Sequence, residues 1–300
     1  MSDGASNPAV RGAAPQAAVP RVTKRRGVMA RLLRHRRGSV GLFLTLIFVA
    51  MAVVGPWIAP YSPSAPDYFN LTAGSTAEHW LGTDAFGRDT LSRVLAGARY
   101  SITIGLSATL LGALLGGAWG LAAGFFGGWF DSLSMRLVDV LLAFPGILLA
   151  IGLVTLTGPG VGPVVLASAV FGVPVFARLA RGSAISIKQR AYIEAAAGLG
   201  ARNGRVMLKH VLPAIVPPVL VFATLRSGST LLIASGLSFL GLGIRAPAPE
   251  WGGMLNEAQL YLAVQPLMAF APGIAITLAV LGFNLLGDGL RDVLDPTLRE

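Results

Sequence analysis

The 300-residue chain contains no cysteine, three histidines and only 14 acidic residues. Without thiols it can form neither disulfides nor thiolate metal centres. His35, His79 and His210 are scattered over three polar segments, so no metal site or acid/base constellation is assigned. A membrane hydrolase or protease is set aside for want of catalytic residues. Lysine is equally scarce: Lys24, Lys188 and Lys209 each follow a residue other than glycine. A G-x-x-x-x-G-K-[ST] loop needs a Gly-Lys step to put an amine on the phosphates, so the chain has no nucleotide cradle of that type. Charge is thin overall, 13% of residues against 54% hydrophobic, with a mean hydropathy of +0.67. That surface is too apolar for a soluble core of this size, and a polytopic membrane protein is the first reading.

Charge-free runs long enough for the roughly 20 residues of a crossing set the span count. They predict spans at about 40–59, 101–124, 134–157, 161–180, 212–240 and 266–287. The third and fourth are separated at "TGPGVGP" (Thr157–Pro163), where helical hydrogen bonding fails. The expected fold is an all-α integral membrane protein with six transmembrane helices. Basic residues are retained on the cytoplasmic side. The N-terminal segment holds Arg11, Arg21, Lys24, Arg25, Arg26, Arg31, Arg34, Arg36 and Arg37 against Asp3, which places it inside. With six spans the C-terminus is inside too, as is the basic loop 181–211, while the segment 61–99 is charge-balanced and outside. The net charge of +10 sits beside the spans, as this topology demands, so no nucleic-acid partner is expected; membrane lipid is. Residues 1–27 read as a disordered basic tail, and the first apolar stretch, longer than a signal-peptide core, as a retained anchor.

Within this frame some residues stand out. Gly112, Gly116, Gly120 and Gly124 recur every four residues, a helix-packing seam. Arg226 is a charge deep in a predicted span, where it needs a partner or a wet cavity. It is the leading candidate for the solute path, together with Asp139 and Pro145. Arg136 and Asp139, three apart, are expected to pair with each other, and Pro145 to kink its span. In the outer segment Asp84, Arg88, Asp89 and Arg93 form a charged block, with Asp89 and Arg93 expected to pair as (i, i+4) neighbours; the block is read as structural and as a docking platform.

The loop raises the sharpest question. "YIEAAAGLGARNGRVMLKHVLP" (Tyr192–Pro213) is charged and helix-forming between two spans. It is expected to make two short surface helices, with Pro213 starting the next span. Glu194, Ala195 and Ala196, then Gly200, then Leu212 and Pro213 resemble the EAA signature of ATP-binding cassette importer permeases. His210 stands where isoleucine is usual. The blocks "LGTDAFGRDTLSRVLAGARYSI" (Leu81–Ile102), "GGWFDSLSMRLVDVLLAFP" (Gly127–Pro145), "LSFLGLG" (Leu237–Gly243) and "PAPEWGGML" (Pro247–Leu255) are similar to the C-type permeases for dipeptides, oligopeptides and nickel. Two departures are a small or polar residue where this chain has Arg226, and a common glutamate where it has Ala234.

The resemblance implies a bacterial inner-membrane permease with a coupling helix in the loop. It also implies a second homologous permease, two cytoplasmic ATPases that bind ATP and Mg, and an extracytoplasmic solute-binding protein; no cofactor is implied for this chain. Peptides or peptide-like solutes lead as cargo. The alternative is an autonomous channel or secondary transporter, but the internal repeats common there are not seen.

Overall fold

The computed structural model describes residues 28–294; the tail expected at 1–27 lies outside them. Among the described residues the structure is helical with no strand, in the order α1 (Val28–Arg34), α2 (Arg36–Ile58), α3 (Thr90–Phe126), α4 (Gly128–Ala143), α5 (Gly146–Thr157), α6 (Val161–Lys188), α7 (Ala191–Gly198), α8 (Asn203–Val206), α9 (Leu212–Leu237), α10 (Trp251–Ala258) and α11 (Leu267–Leu294). Helices α2, α3, α6, α9 and α11 are each long and apolar enough to cross a membrane.

The sixth crossing is broken. Helices α4 and α5 meet at 87°, because Pro145 has no N–H to donate and Phe144 before it is extended (φ −79°, ψ 138°). The pair still runs the length of the bundle. Asp131 in α4 binds Arg181 near the end of α6, while Ala150 and Val154 of α5 pack with Ile104 of α3 and Leu237 of α9 at the opposite end. The kink expected within one helix is thus a break between two.

Small residues set the closest approaches, since shape is what brings apolar helices together in lipid. The α3 glycines form the predicted seam and lie against α6. A Cβ on Gly112 would stand 3.2 Å from the Ala169 carbonyl and one on Gly124 2.7 Å from that of Arg181, while at Gly116 and Gly120 it would run into the carbonyls of Val173 and Ala177. Gly38 and Gly41 similarly admit α11 to α2.

Helix α3, at 37 residues about 55 Å long, extends well beyond the expected 101–124. Its first turns are buried with α10 and the irregular segment 59–89 at what we term the α10 end. Trp251 is fully buried there, packs edge-on to Phe48 at 5.8 Å and donates from Nε1 to the Val94 carbonyl (3.0 Å). At the other, α7 end lie α1, the last turn of α11 and the loop between α6 and α9. His35 caps α2 and meets Asp292 at 3.2 Å, so both termini of the described chain share one end, as six crossings require.

Candidate functional site

Two polar clusters and one surface loop carry the residues singled out by sequence. Helix α7 holds Glu194, Ala195 and Ala196. Its Ile193 is 3% exposed and inserts among Leu121, Phe125, Ala180, Ala184, Ile187, Val206, Val211 and Ile215, with Leu212 packed on the rim. This one side chain therefore seats α7 on α3, α6 and α9, while Tyr192, Glu194, Ala195 and Leu199 remain exposed. The helix ends where Gly200 takes φ +81°, with Leu199 N–H donating to Ala195 O (3.0 Å) and Ala201 N–H to Ala196 O (3.2 Å). The left-handed backbone, which non-glycine residues enter at a cost of roughly 1–2 kcal/mol, turns the chain back towards α9. The glycine is demanded by φ alone, for a Cβ there would meet nothing within 4 Å.

The second short surface helix does not form separately. Asn203 to Leu237 runs without a break, with a π turn at Met207–Val211 joining α8 to α9, and the helix kinks beyond it at Gly241 (φ +82°). Pro213 needs no new start, because the π turn accommodates its missing donor near the beginning of α9. Helix α7 is therefore joined by a short turn to a helix long enough to cross the membrane.

At the α10 end the charged block is buried. Arg88 Nε contacts Asp84 Oδ2 at 2.6 Å and Arg88 Nη2 contacts Glu257 Oε2 at 2.6 Å; Arg93 reaches the same two oxygens at 3.2 and 3.1 Å. Two cations and two anions form a closed set, and Arg93 Nη1 also donates to the carbonyls of Pro63 (3.1 Å) and Pro247 (3.2 Å). The expected Asp89–Arg93 pair is absent. Asp89 instead caps α3, its Oδ2 accepting from Ser92 N–H at 2.7 Å, while its Oδ1 meets His79 Nδ1 at 2.9 Å; the cap and His79 occupy both oxygens, and Arg93 points to α10. Glu250 caps α10, accepting from the N–H groups of Gly252 (3.0 Å) and Gly253 (2.8 Å) and from Ser101 Oγ (3.2 Å). Burial pushes its carboxyl above the ordinary range, against the downward pull of those hydrogen bonds.

In mid-bundle, Arg226 has no acid within ion-pair distance among the described residues and its Nε has no hydrogen-bond partner. Its guanidinium lies over the Phe171 ring at 5.4 Å. The ring in turn fills the space that a side chain on Gly146 would occupy, so the α4–α5 break at Pro145 brings this wall to Arg226. Asp139 does not pair with Arg136. It binds Arg178 of α6 at 2.5 Å, since helix packing turns it toward α6. A cleft of about 810 Å³ between α6 and α9 opens at the α7 end. A smaller one, about 370 Å³, is lined by Arg178 and shares Leu179 and Phe222 with it. The site residues thus fall in three places rather than one, and sequence reasoning missed Glu250, Glu257, His79, Phe171 and Arg178. Of these, Glu250 alone had a local signal, an acid just ahead of "WGGML".

Residues 116–300 match the model described as binding-protein-dependent transport system inner membrane component, and residues 24–73 match the N-terminal TM domain of oligopeptide transport permease C. The chain belongs to this family of inner-membrane transport components. The permease is 48% identical over 267 residues to the glutathione transport system permease protein GsiD of Escherichia coli, covering 89% of this chain and 88% of that one. It is 46% identical over 270 residues to the glutathione transport system permease protein GsiD of Pectobacterium atrosepticum, covering 90% of this chain and 89% of that one. In fold it resembles a chain of the inward-facing MetNI methionine ABC transporter, with a TM-score of 0.57 at 16% identity over 68% of this permease and 97% of that chain. Family membership sets aside the autonomous channel or secondary transporter, and the relatives are transport permeases rather than enzymes.

Proposed function

We propose that this permease forms one half of the solute path of an ATP-driven importer for di- or oligopeptides or peptide-like solutes, glutathione among them, in the bacterial inner membrane. A second homologous permease supplies the other half. Two cytoplasmic ATPases, which bind the ATP and Mg, dock on α7, and an extracytoplasmic binding protein delivers solute at the α10 end; both termini are cytoplasmic.

The observation that carries the reading is the mounting of α7. Ile193 is buried, the opposite face is bare, and the helix connects through a short turn to the long helix that starts at Asn203 and continues through α9. A subunit gripping Tyr192, Glu194 and Leu199 moves that helix, and two states of the path follow if each has its own set of contacts with the ATPases. The buried Asp84–Arg88–Arg93–Glu257 set keeps the α10 end stiff, so the motion is expressed along α9 and at the α4–α5 break. Because the chain has no native cysteine, a Leu199→Cys variant carries the only thiol of this subunit. With a thiol-to-amine cross-linker in native membranes it is expected to join this chain to an ATPase. A cross-link to lipid-facing or extracytoplasmic proteins instead would remove α7 as the docking element.

A further inference from the structure

The cleft between α6 and α9 is electrostatically one-sided. Its walls are mostly apolar, from residues such as Pro218, Val221 and Phe222, with the uncharged Ser183 and Ser186 among them, and its mouth carries Arg190 and Arg291. Neither arginine has an ion-pair partner among the described residues. The adjoining smaller cleft adds Arg178, whose charge Asp139 balances. One helical turn past Phe222 on the same face of α9 stands Arg226. Among the described residues, the uncompensated charges along this route are all positive and no acid lines either cleft.

A guanidinium held in mid-span without a carboxylate is costly unless water or an anion reaches it. The Phe171 ring supplies only a weak cation–π contact at 5.4 Å, and the packing of that ring on Gly146 fixes it in place. Arg226 is thus half-buried, with its Nε enclosed and unsatisfied, which leaves the paired Nη groups of its planar guanidinium as the donors that a carboxylate can meet.

We propose that the α6–α9 route favours solutes of net negative charge, with Arg226 as the residue that receives the solute's carboxylate. This rests on the permease reading above and adds a charge rule to it. The rule concerns passage through the membrane, not capture by the binding protein, so it shows in maximal uptake rate rather than in half-saturating concentration.

The test uses the complete importer in its native host, with this chain replaced by Arg226→Gln, Arg226→Glu or Arg226→Lys. Three labelled tripeptides serve as probes: Ala-Glu-Ala, Ala-Ala-Ala and Ala-Lys-Ala. Dividing the maximal rate of each variant by that of wild type, peptide by peptide, cancels the preference of the binding protein. Arg226→Gln is expected to depress the acidic peptide about tenfold more than the basic one, the loss of one charge-assisted hydrogen-bonded contact. Arg226→Glu should reverse the order, and Arg226→Lys should keep it. Co-purification of the other subunits with each variant checks assembly; if Gln or Glu fails to assemble, loss of the acidic preference in Arg226→Lys would overturn the proposal by itself. Equal loss for all three peptides, which share a C-terminal carboxylate, would also overturn the charge rule, assigning Arg226 to that shared group or to an acid of the companion subunit while leaving the permease reading intact. Import of none of the three by wild type would sink the peptide reading and the charge rule together.

Discussion

Replacing Asp84 by asparagine tests how the α10 end is held. The exchange keeps shape and one carbonyl oxygen, so the turn in which Asp84 Oδ1 accepts from the N–H groups of Phe86 (2.8 Å) and Arg88 (3.0 Å) is preserved. What is lost is the anion shared by two guanidinium groups. The side chains of Arg88 and Arg93 are 3% and 1% exposed, so bulk solvent does not replace it, and Glu257 alone is left to balance two cations. Removing one partner from a buried set of this kind costs about 3–5 kcal/mol, chiefly the penalty of the stranded charge. The comparison that isolates burial is Asp139→Asn. Its bridge to Arg178 is the shorter, 2.5 Å against 2.6 Å, yet its side chains are 57% and 64% exposed, which predicts at most about 1 kcal/mol. Purified chain is titrated with SDS in mixed micelles and unfolding followed by tryptophan fluorescence, to which fully buried Trp251 contributes from beside the cluster. In the double variant Asp84→Asn/Arg88→Gln part of the loss should return, giving a coupling of about 0.5–3 kcal/mol. Equal, small losses for Asp84→Asn and Asp139→Asn would refute the reasoning, because they would mean that the cluster is solvated in solution.

Further outcomes follow from the same geometry. Gly120→Val drives a side chain into the Ala177 carbonyl and should destabilise the chain by about 1–3 kcal/mol or more, seen as a lower melting temperature in detergent; Gly117→Val, facing open space on the same helix, should not. Ile193→Ala unseats α7 and should slow binding-protein-stimulated ATP hydrolysis in the assembled importer, while a global melting point shifted by several degrees would make its role purely structural. For Glu250, whose folded-state carboxyl titrates above its ordinary value, the native state holds its proton where the unfolded state has released it. Its contribution to stability therefore falls as pH rises through the interval above the ordinary glutamate value, about 4.3. Glu250→Gln should flatten that slope in a pH series of SDS titrations, and an unchanged slope would assign it to other groups.

Much of this was legible in residues close together along the chain. Runs without charge located the crossings because a buried charge in lipid is expensive, and the four-residue glycine repeat located the α3–α6 seam because small residues every four positions share a helix face. Gly200 was legible as a breaker, though not that its φ rather than its packing demands glycine. What escaped were partners distant in sequence. Arg136 was the nearest cation to Asp139, but Arg178 lies 39 residues on. Arg93 was paired by spacing with Asp89, whereas Asp89 spends its oxygens on the cap and His79, and Glu257 comes from 164 residues away. The length of α3 escapes a hydropathy reading for a related reason: its first ten residues carry Arg93 and Arg99, and only their burial against α10 explains why they continue the helix. The α4–α5 break was visible as Pro145, but neither its 87° angle nor the packing of Phe171 onto Gly146 is announced by any local pattern.

The central claim, that α7 is where the ATPases grip this chain, is tested most directly by tagging the permease in its native host and extracting it in mild detergent. Wild type is compared with Gly200→Val, which forces a β-branched residue into a left-handed backbone (φ +81°) without any steric contact. The account predicts that a second permease and two ATPase subunits accompany the wild type, and that the ATPases alone are depleted with the variant. Equal recovery of ATPases with both, or a wild-type chain that comes down without them, would contradict it.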